Sequence, residues 1–271
     1  MPHLRPTILV TGSTDGIGKE TALGLARQGA HVILHGRSPE RLDMTRDEFI
    51  SAGVSVAGIV EGDFSNLASV RSLARGIRER FPDLNVLINN AGVYMKSRTE
   101  TSDGHEASWQ VNHLAPVLLT LELLPILEKN APARIINVSS IAHTRGRIDF
   151  DDLSGMKSFD GYAAYAQSKL ANILFTYELA EQLEGKGVDV NCLHPGVIGT
   201  KLLTDGFGID GAPLDEGART SIFLAMTDDL AGVTGKYFVK EQPTTSSAMS
   251  YDVRLRKDLW DLTLKAISLS L

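Results

Sequence analysis

Six short β-branched runs, Thr7–Thr11, His31–His35, Val54–Val60, Asn85–Asn89, Arg134–Ser139 and Val188–Leu193, are separated by longer amphipathic stretches. This alternation constrains the fold more than any other feature. Parallel neighbours need helical crossovers between them, so a repeated strand–helix rhythm predicts one parallel sheet. Runs as apolar as Ile8-Leu9-Val10 and Val86-Leu87-Ile88 suit strands covered on both faces. The expected fold class is therefore α/β, a doubly wound parallel sheet forming a single domain over 1–271. A late run, Tyr237–Val239, could close one edge. A chain of 271 residues that is 43% hydrophobic is long enough for one well-buried core.

The charge balance narrows the partners. With 33 acidic against 27 basic residues the net charge is −6, whereas nucleic-acid binding needs a basic face. Nucleic acid is excluded as the main partner. Cys192 stands alone, so no intramolecular disulfide can form, no cysteine-based metal site is expected, and a reducing compartment is the simplest setting. Met1–Pro6 runs straight into the first strand without the apolar stretch of a signal peptide. The run Leu114–Leu127 is interrupted by Glu122 and two prolines and falls short of the roughly 20 apolar residues of a membrane span. It reads as a buried helix, and the expectation is a cytoplasmic protein with no transmembrane anchor.

Ligands of doubly wound sheets bind beyond the carboxyl ends of the strands. At the first such end stands Thr11-Gly12-Ser13-Thr14-Asp15-Gly16-Ile17-Gly18, followed by the helical pattern Lys19–Gln28. Glycines let the backbone turn tightly and approach a ligand, and a helix start attracts phosphate. Without the strand before it and the helix after it, this string would be an ordinary turn. At the end of the second run the sequence reads His35-Gly36-Arg37-Ser38, with no carboxylate to hold a ribose hydroxyl. Arg37 can instead pair with a phosphate through its planar fork, Ser38 can add a hydroxyl, and Arg41 lies one helical turn on. The two arginines would otherwise be solvated surface groups. Two loops, Ile141–Gly161 and Gly196–Pro213, are longer than usual and read as substrate lids.

Tyr165 and Lys169 are four apart in a helical pattern, so they share one face. A nearby ammonium lowers a tyrosine pKa from about 10 and makes the phenol a usable acid or base. Ser139 and Ser140 end the strand before, where a hydroxyl could reach a substrate oxygen or simply cap a helix. Asn112 lies inside a helical stretch, where asparagine is a poor choice unless its amide or a local bulge has a task.

In this order the motifs resemble the short-chain dehydrogenase/reductase family from Thr7 to about Val239, a single catalytic domain of Rossmann type. The pieces that carry the resemblance are Thr11–Gly18, Asp63, Asn89-Asn90-Ala91-Gly92, Asn112, Val138-Ser139-Ser140, Tyr165-Ala-Gln-Ser-Lys169 and Pro195-Gly196-Val-Ile198-Gly-Thr200. The resemblance implies an NADP cofactor cradled by Gly12, Ser13, Thr14, Gly16, Ile17 and Gly18. Arg37, Ser38 and Arg41 would meet its 2′-phosphate, and Asp63 with Phe64 its adenine. Asn90, Ala91 and Gly92 would run along it, while Pro195, Ile198 and Thr200 would hold the nicotinamide end. Ser140, the second serine of its pair, would polarise the substrate oxygen. Tyr165 would exchange the proton, Lys169 would bind the ribose and lower the tyrosine pKa, and Asn112 would anchor a water linking Lys169 to solvent. The 25 positions between Ser140 and Tyr165 exceed the family's usual spacing and, with Tyr165-Ala-Gln-Ser-Lys-Leu-Ala-Asn-Ile-Leu-Phe, look like the retinol dehydrogenase-like branch. That branch also holds WW-domain oxidoreductases and protochlorophyllide reductases. The implied activity is NADP(H)-dependent interconversion of a small-molecule carbonyl and its alcohol, which could be lipophilic. The alternative is a catalytically silent NADP(H)-sensing protein on the same fold. A homodimer through Leu114–Lys129 and Ala163–Glu184 is a further implication of the resemblance.

Overall fold

The computed structural model describes residues 5–268, so the first four residues of the Met1–Pro6 segment and the last three of the C-terminal tail lie outside it. The chain alternates β1 (Thr7–Val10), α1 (Gly16–Arg27), β2 (His31–Gly36), α2 (Pro39–Ser51), β3 (Gly58–Glu61) and α3 (Leu67–Arg80). Next come β4 (Leu84–Asn89), a short α4 (Ala107–Trp109), a π-helical turn Gln110–Leu114 and α5 (Ala115–Lys129). β5 (Ala133–Val138), α6 (Gly161–Gln182), β6 (Val188–His194), α7 (Lys201–Phe207) and α8 (Leu214–Met226) follow. β7 (Tyr237–Val239), β8 (Gln242–Thr244) and α9 (Val253–Ser268) complete it.

The sheet order is β3-β2-β1-β4-β5-β6-β7-β8, parallel throughout except for the β7–β8 hairpin. The strands after β1 run outward to β3, and the chain then returns to place β4 on the other side of β1. A crevice opens where the order reverses, at the carboxyl ends of β1 and β4. Alternate strand residues feed two cores. Ile8, Val10, Val32 and Leu34 pack under α1, α2 and α8, whereas Leu9, Ile33, Leu87 and Ile135 pack under α3, α5, α6 and α9.

Three readings are corrected here. Val54 and Val56 join the hydrophobic core but do not pair, so β3 begins only at Gly58. The Ile141–Gly161 segment opens with a 3-10 turn, Ile141–Arg145, and Gln167 of α6 pins it by accepting from Asp149 N–H and donating to the Leu153 carbonyl. The Gly196–Pro213 segment contains α7, whose N-cap is Thr200.

The helical run Ala107–Lys129 is long and apolar enough to cross a membrane, longer than the sequence pattern suggested, but 67% of its apolar window is buried within the protein. It is a core helix here. α6 is buried along most of its length, packed between the sheet on one side and the π turn and α9 on the other. Trp260 stacks on Phe175 with ring centres 5.9 Å apart, and Arg256 binds Glu178 at 2.8 Å and also Glu181. Of the two segments expected to form a dimer, Ala163–Glu184 is largely covered within the chain, whereas Leu114–Lys129 keeps Leu121, Leu124, Pro125 and Ile126 at least partly exposed.

A buried polar ladder ties the sheet to its helices. Asn89 Nδ2 donates to Thr120 Oγ1 of α5 and to Asn137 Oδ1, and Asn137 Nδ2 donates to Thr176 Oγ1 of α6, all at 2.8–2.9 Å. These paired amide groups help fix how α5 and α6 seat on β4 and β5, while the buried Asn89 Oδ1 has no hydrogen-bond partner among the described residues.

Candidate active site

At the switch point lies a cleft of about 740 Å³. One end is built from backbone. Gly12 has φ +66°, and a Cβ there would sit 3.0 Å from the Ala91 Cα, so only glycine lets the first loop close against the end of β4. Asn90 locks the same junction, donating through Nδ2 to the Thr11 carbonyl at 2.8 Å. Gly16, Ile17 and Gly18 begin α1 and line the cleft with Thr14, Asn90, Ala91 and Gly92.

Ser13 does not line it. Its side chain is buried, accepting from His35 N–H at 2.8 Å and donating to the His35 carbonyl, so it fastens the loop to β2 instead. His35 completes this fastening by accepting from Gly12 N–H through Nδ1 at 3.1 Å. Burial pulls that imidazole down to about 4, which keeps the accepting nitrogen bare.

At the β2 end, Arg37 is exposed on the rim of the cleft and has no ion-pair partner among the described residues. Ser38 is already engaged: its hydroxyl caps α2 by accepting from Arg41 N–H and donates to Glu40 at 2.6 Å. Arg41 is engaged too, reaching Asp15 Oδ2 at 2.9 Å and the Thr14 carbonyl at 3.3 Å. Asp15, which the sequence reading left unassigned although it holds an N-cap position, therefore has three tasks. It caps α1 through Gly16 N–H, holds Arg41, and binds Lys201 of α7 at 2.8 Å. These donors outweigh its partial burial and hold its carboxyl below the usual range. Asp63 and Phe64 form the neighbouring wall; Asp63 Oδ1 is used by the N–H and hydroxyl of Ser65, and Phe64 packs on the His35 ring.

The other end carries the polar side chains. Ser139 Oγ donates to the Lys169 carbonyl at 2.7 Å, leaving Ser140 as the serine whose hydroxyl meets Tyr165. Lys169 is buried and donates to the Val138 carbonyl at 3.0 Å, with Nζ 5.5 Å from the centre of the Tyr165 ring. Gly92 makes room for it, since a Cβ there would approach Lys169 Nζ at 3.4 Å and Asn112 Oδ1 at 3.3 Å. Burial pulls the ammonium down to about 8 and pushes the Tyr165 phenol up to about 12, with the Ser140 bond opposing the rise. The expected lowering of the tyrosine pKa by Lys169 is thus corrected: desolvation raises the phenol, and the group that opposes the rise is Ser140 rather than Lys169.

Asn112 sits behind the cleft wall. Its Oδ1 accepts from Val93 N–H at 2.7 Å, and Nδ2 donates to the Val93 carbonyl and to Ser168 Oγ at 2.9–3.0 Å. The side chain braces the Gly92–Val93 turn against α6. The π turn is the local bulge that an asparagine inside a helix suggested. Pro195, Ile198 and Thr200 line the cleft opposite, with Val197, Leu202, Leu203 and Ile209. Of the two long segments, this one borders the cleft extensively, whereas the earlier one contributes Ile141 and Ala142 at its start. No described residue of the C-terminal tail lines the cleft.

A family model described as short chain dehydrogenase matches residues 6–207. The chain belongs to this family. Its relatives include retinol dehydrogenase 14 of Mus musculus, 40% identical over 95% of this chain and 84% of that protein, and retinol dehydrogenase 13 of Homo sapiens, 39% identical over 97% and 85%. These place the short-chain dehydrogenase described here in the retinol dehydrogenase-like branch. Among solved structures, an uncharacterized protein from Mycobacterium paratuberculosis superposes with a TM-score of 0.82 at 32% identity over 98% of this chain and 96% of that one. An NADP complex of RhlG from Pseudomonas aeruginosa gives 0.70 at 29% identity over 86% and 93%. The chain is thus a member of an oxidoreductase family with a Rossmann-type fold.

Proposed function

We propose that this protein is an NADP(H)-dependent oxidoreductase that interconverts a lipophilic carbonyl compound and its alcohol, with Tyr165 as the general acid and base. The observation that carries the reading is the meeting of Ser140, Tyr165 and Lys169 on one wall of a cleft whose other end is a glycine-built loop. Arg37 on the rim, with no ion-pair partner among the described residues, fits a ribose phosphate, and the RhlG neighbour is an NADP complex.

When bound, the reduced nicotinamide supplies the hydride. The chain's own residues supply the rest. Ser140 donates a hydrogen bond to the substrate oxygen and draws negative charge onto it. Tyr165, protonated at neutral pH, gives its proton to the same oxygen as the carbon is reduced, and takes it back in the reverse direction. Lys169 holds a positive charge behind the phenol and steadies the phenolate left after transfer. Val93, Ile141, Ala142, Tyr162, Leu202 and Ile209 give the substrate end apolar walls that exclude water.

The test is NADPH oxidation against a panel of aldehydes, ketones, quinones and retinoids, with Tyr165→Phe alongside. Turnover of at least one lipophilic carbonyl is expected, falling by about 10²–10⁴-fold in the variant while NADPH affinity is kept. Stoichiometric NADPH binding without turnover of any compound would favour a sensing role, and full activity of Tyr165→Phe would remove the mechanism.

A further inference from the structure

One peptide group in the site is gripped at both its polar atoms by imidazoles that the proton chemistry above leaves unused. The Ser140 carbonyl accepts from His143 Nδ1 at 2.7 Å and from the His143 backbone N–H at 3.1 Å. The N–H of the same peptide, on Ile141, donates to His194 Nδ1 at 3.2 Å. His143 Nε2 in turn accepts from Ser247 N–H at 3.1 Å, and His194 Nδ1 also faces Gly196 N–H at 3.4 Å. The partners fix both tautomers. A carbonyl only accepts, so His143 carries its proton on Nδ1; an amide N–H only donates, so His143 Nε2 and His194 Nδ1 are bare. Both rings are buried, and burial moves both below the ordinary imidazole range. The neutral forms this favours are the ones the hydrogen bonds require.

We propose that His143 and His194 are positioning residues that aim the Ser140 hydroxyl at the substrate oxygen by clamping the peptide that follows it. The proposal rests on the reading of Ser140 given above. The backbone at Ser140 is extended, φ −157° and ψ 158°, and the chain turns immediately afterwards into the 3-10 turn. Holding the carbonyl on one side and the amide on the other fixes ψ at Ser140, and with it the direction in which the side chain leaves the backbone. His194 ends β6, whose Leu193 pairs with Val138 of the neighbouring β5, and His143 lies in the 3-10 turn that follows β5, so the two rings meet beyond adjacent strand ends. Misplacement of a reacting group by about 1 Å can cost on the order of 10²-fold in rate, so a clamp of this kind is worth having.

Two substitutions at His143 separate the bonds it makes. Asn places an amide nitrogen where Nδ1 stands and keeps the bond to the Ser140 carbonyl. Gln places an amide oxygen where Nε2 stands and keeps only the bond to Ser247. In steady-state reduction of an aldehyde identified by the panel, His143→Gln is expected to lose about tenfold to a hundredfold in kcat with NADPH affinity within about twofold. His143→Asn should return to within about threefold of wild type, and adding His143→Gln to Ser140→Ala should cost less than about twofold more, because the two act as a unit. An active Gln variant beside a dead Asn variant, or an undiminished further loss in the Ser140→Ala background, overturns the clamp. Should either His143 variant fail to bind NADPH, the same cycle with His194→Asn, which keeps an acceptor at the Nδ1 position, and His194→Leu, which does not, decides the matter by the same criteria. If Ser140→Ala alone keeps wild-type kcat, the reading of Ser140 falls and the clamp with it; if Ser140→Ala is impaired and neither His143→Gln nor His194→Leu is, only the clamp falls.

Discussion

Arg41 is joined to Asp15 across the mouth of the nucleotide cleft, Nη2 to Oδ2 at 2.9 Å. The bond divides the labour between two arginines that look equivalent in sequence. Arg41 already has an anionic partner, whereas Arg37 on the rim has none among the described residues. Arg37→Ala should therefore weaken NADPH binding about tenfold to a hundredfold, as expected for a charge-assisted contact of about 1.5–3 kcal/mol, and leave NADH nearly unchanged. Arg41→Ala should cost only a few-fold. Dissociation constants for both cofactors at fixed ionic strength check this; equal loss for NADH and NADPH in Arg37→Ala would mean the guanidinium stacks on adenine instead.

The reduction rate should carry an alkaline limb set by Lys169. Burial holds its ammonium at about 8, so the charge behind the phenol disappears as pH rises through that value. Tyr165, pushed up to about 12, stays protonated across the same range and contributes no limb of its own. A profile of kcat/KM for carbonyl reduction should be flat below about pH 8 and fall about tenfold per unit above it. Lys169→Arg should move the limb upward, because a guanidinium keeps its charge.

The cover that α9 lays over α6 predicts a monomer in solution. Phe175, Leu174 and Leu170 are already packed, and Leu259, Trp260 and Ile267 supply the facing surface. Light scattering at micromolar concentration should give a mass near the 29.3 kDa of one chain. Leu259→Asp should loosen α9, expose the apolar face of α6 and produce self-association; a wild-type dimer would show that another surface is used.

Three histidines make the fold acid-sensitive. His35, His113 and His194 are each held at about 4 by burial, below the value of about 6.5 in an unfolded chain. Above about pH 6.5 neither state binds these protons and stability is full. As pH falls from about 6.5 to about 4 the unfolded chain takes up protons that the folded one refuses, at about 1.4 kcal/mol per unit for each group. Thermal melts should show Tm dropping steeply below about pH 6, and a flat Tm down to about pH 5 would show the rings accept protons in place.

Sequence periodicity located the strands that lie in the middle of the sheet, because burial on both faces demands unbroken apolar runs such as Ile8–Val10 and Ile135–Ile136. It failed at the edges. β8 holds Pro243 between exposed polar residues, a composition tolerated only where one side of a strand needs no partner, so nothing in it reads as a strand. α7 is seven residues with Gly206 inside, too short to show a period. Within the site, residues that share one helix or one loop were legible, as Tyr165 and Lys169 were. Asn137 with Asn89, and His143 with His194, were not. Their members stand on different strands or, for His143, in the 3-10 turn after β5, and only the register of β4, β5 and β6 brings them together.

The π turn at Gln110–Leu114 has a consequence for how this helix tolerates changes in length. One additional residue per turn shifts the helix face by about 100°. Here Asn112 and His113 both meet α6, at Ser168 and Asn172, while Asn112 also reaches Val93 and His113 reaches Thr263 of α9. Removing a single residue from the turn would restore regular winding and swing every upstream side chain to a new azimuth, with Trp109 and Glu106 among them. A substitution along Ala107–Lys129 is felt at one position, whereas an insertion or deletion at the turn disturbs the cleft wall and the α9 contact together, so the segment is sensitive to its length as well as to its composition.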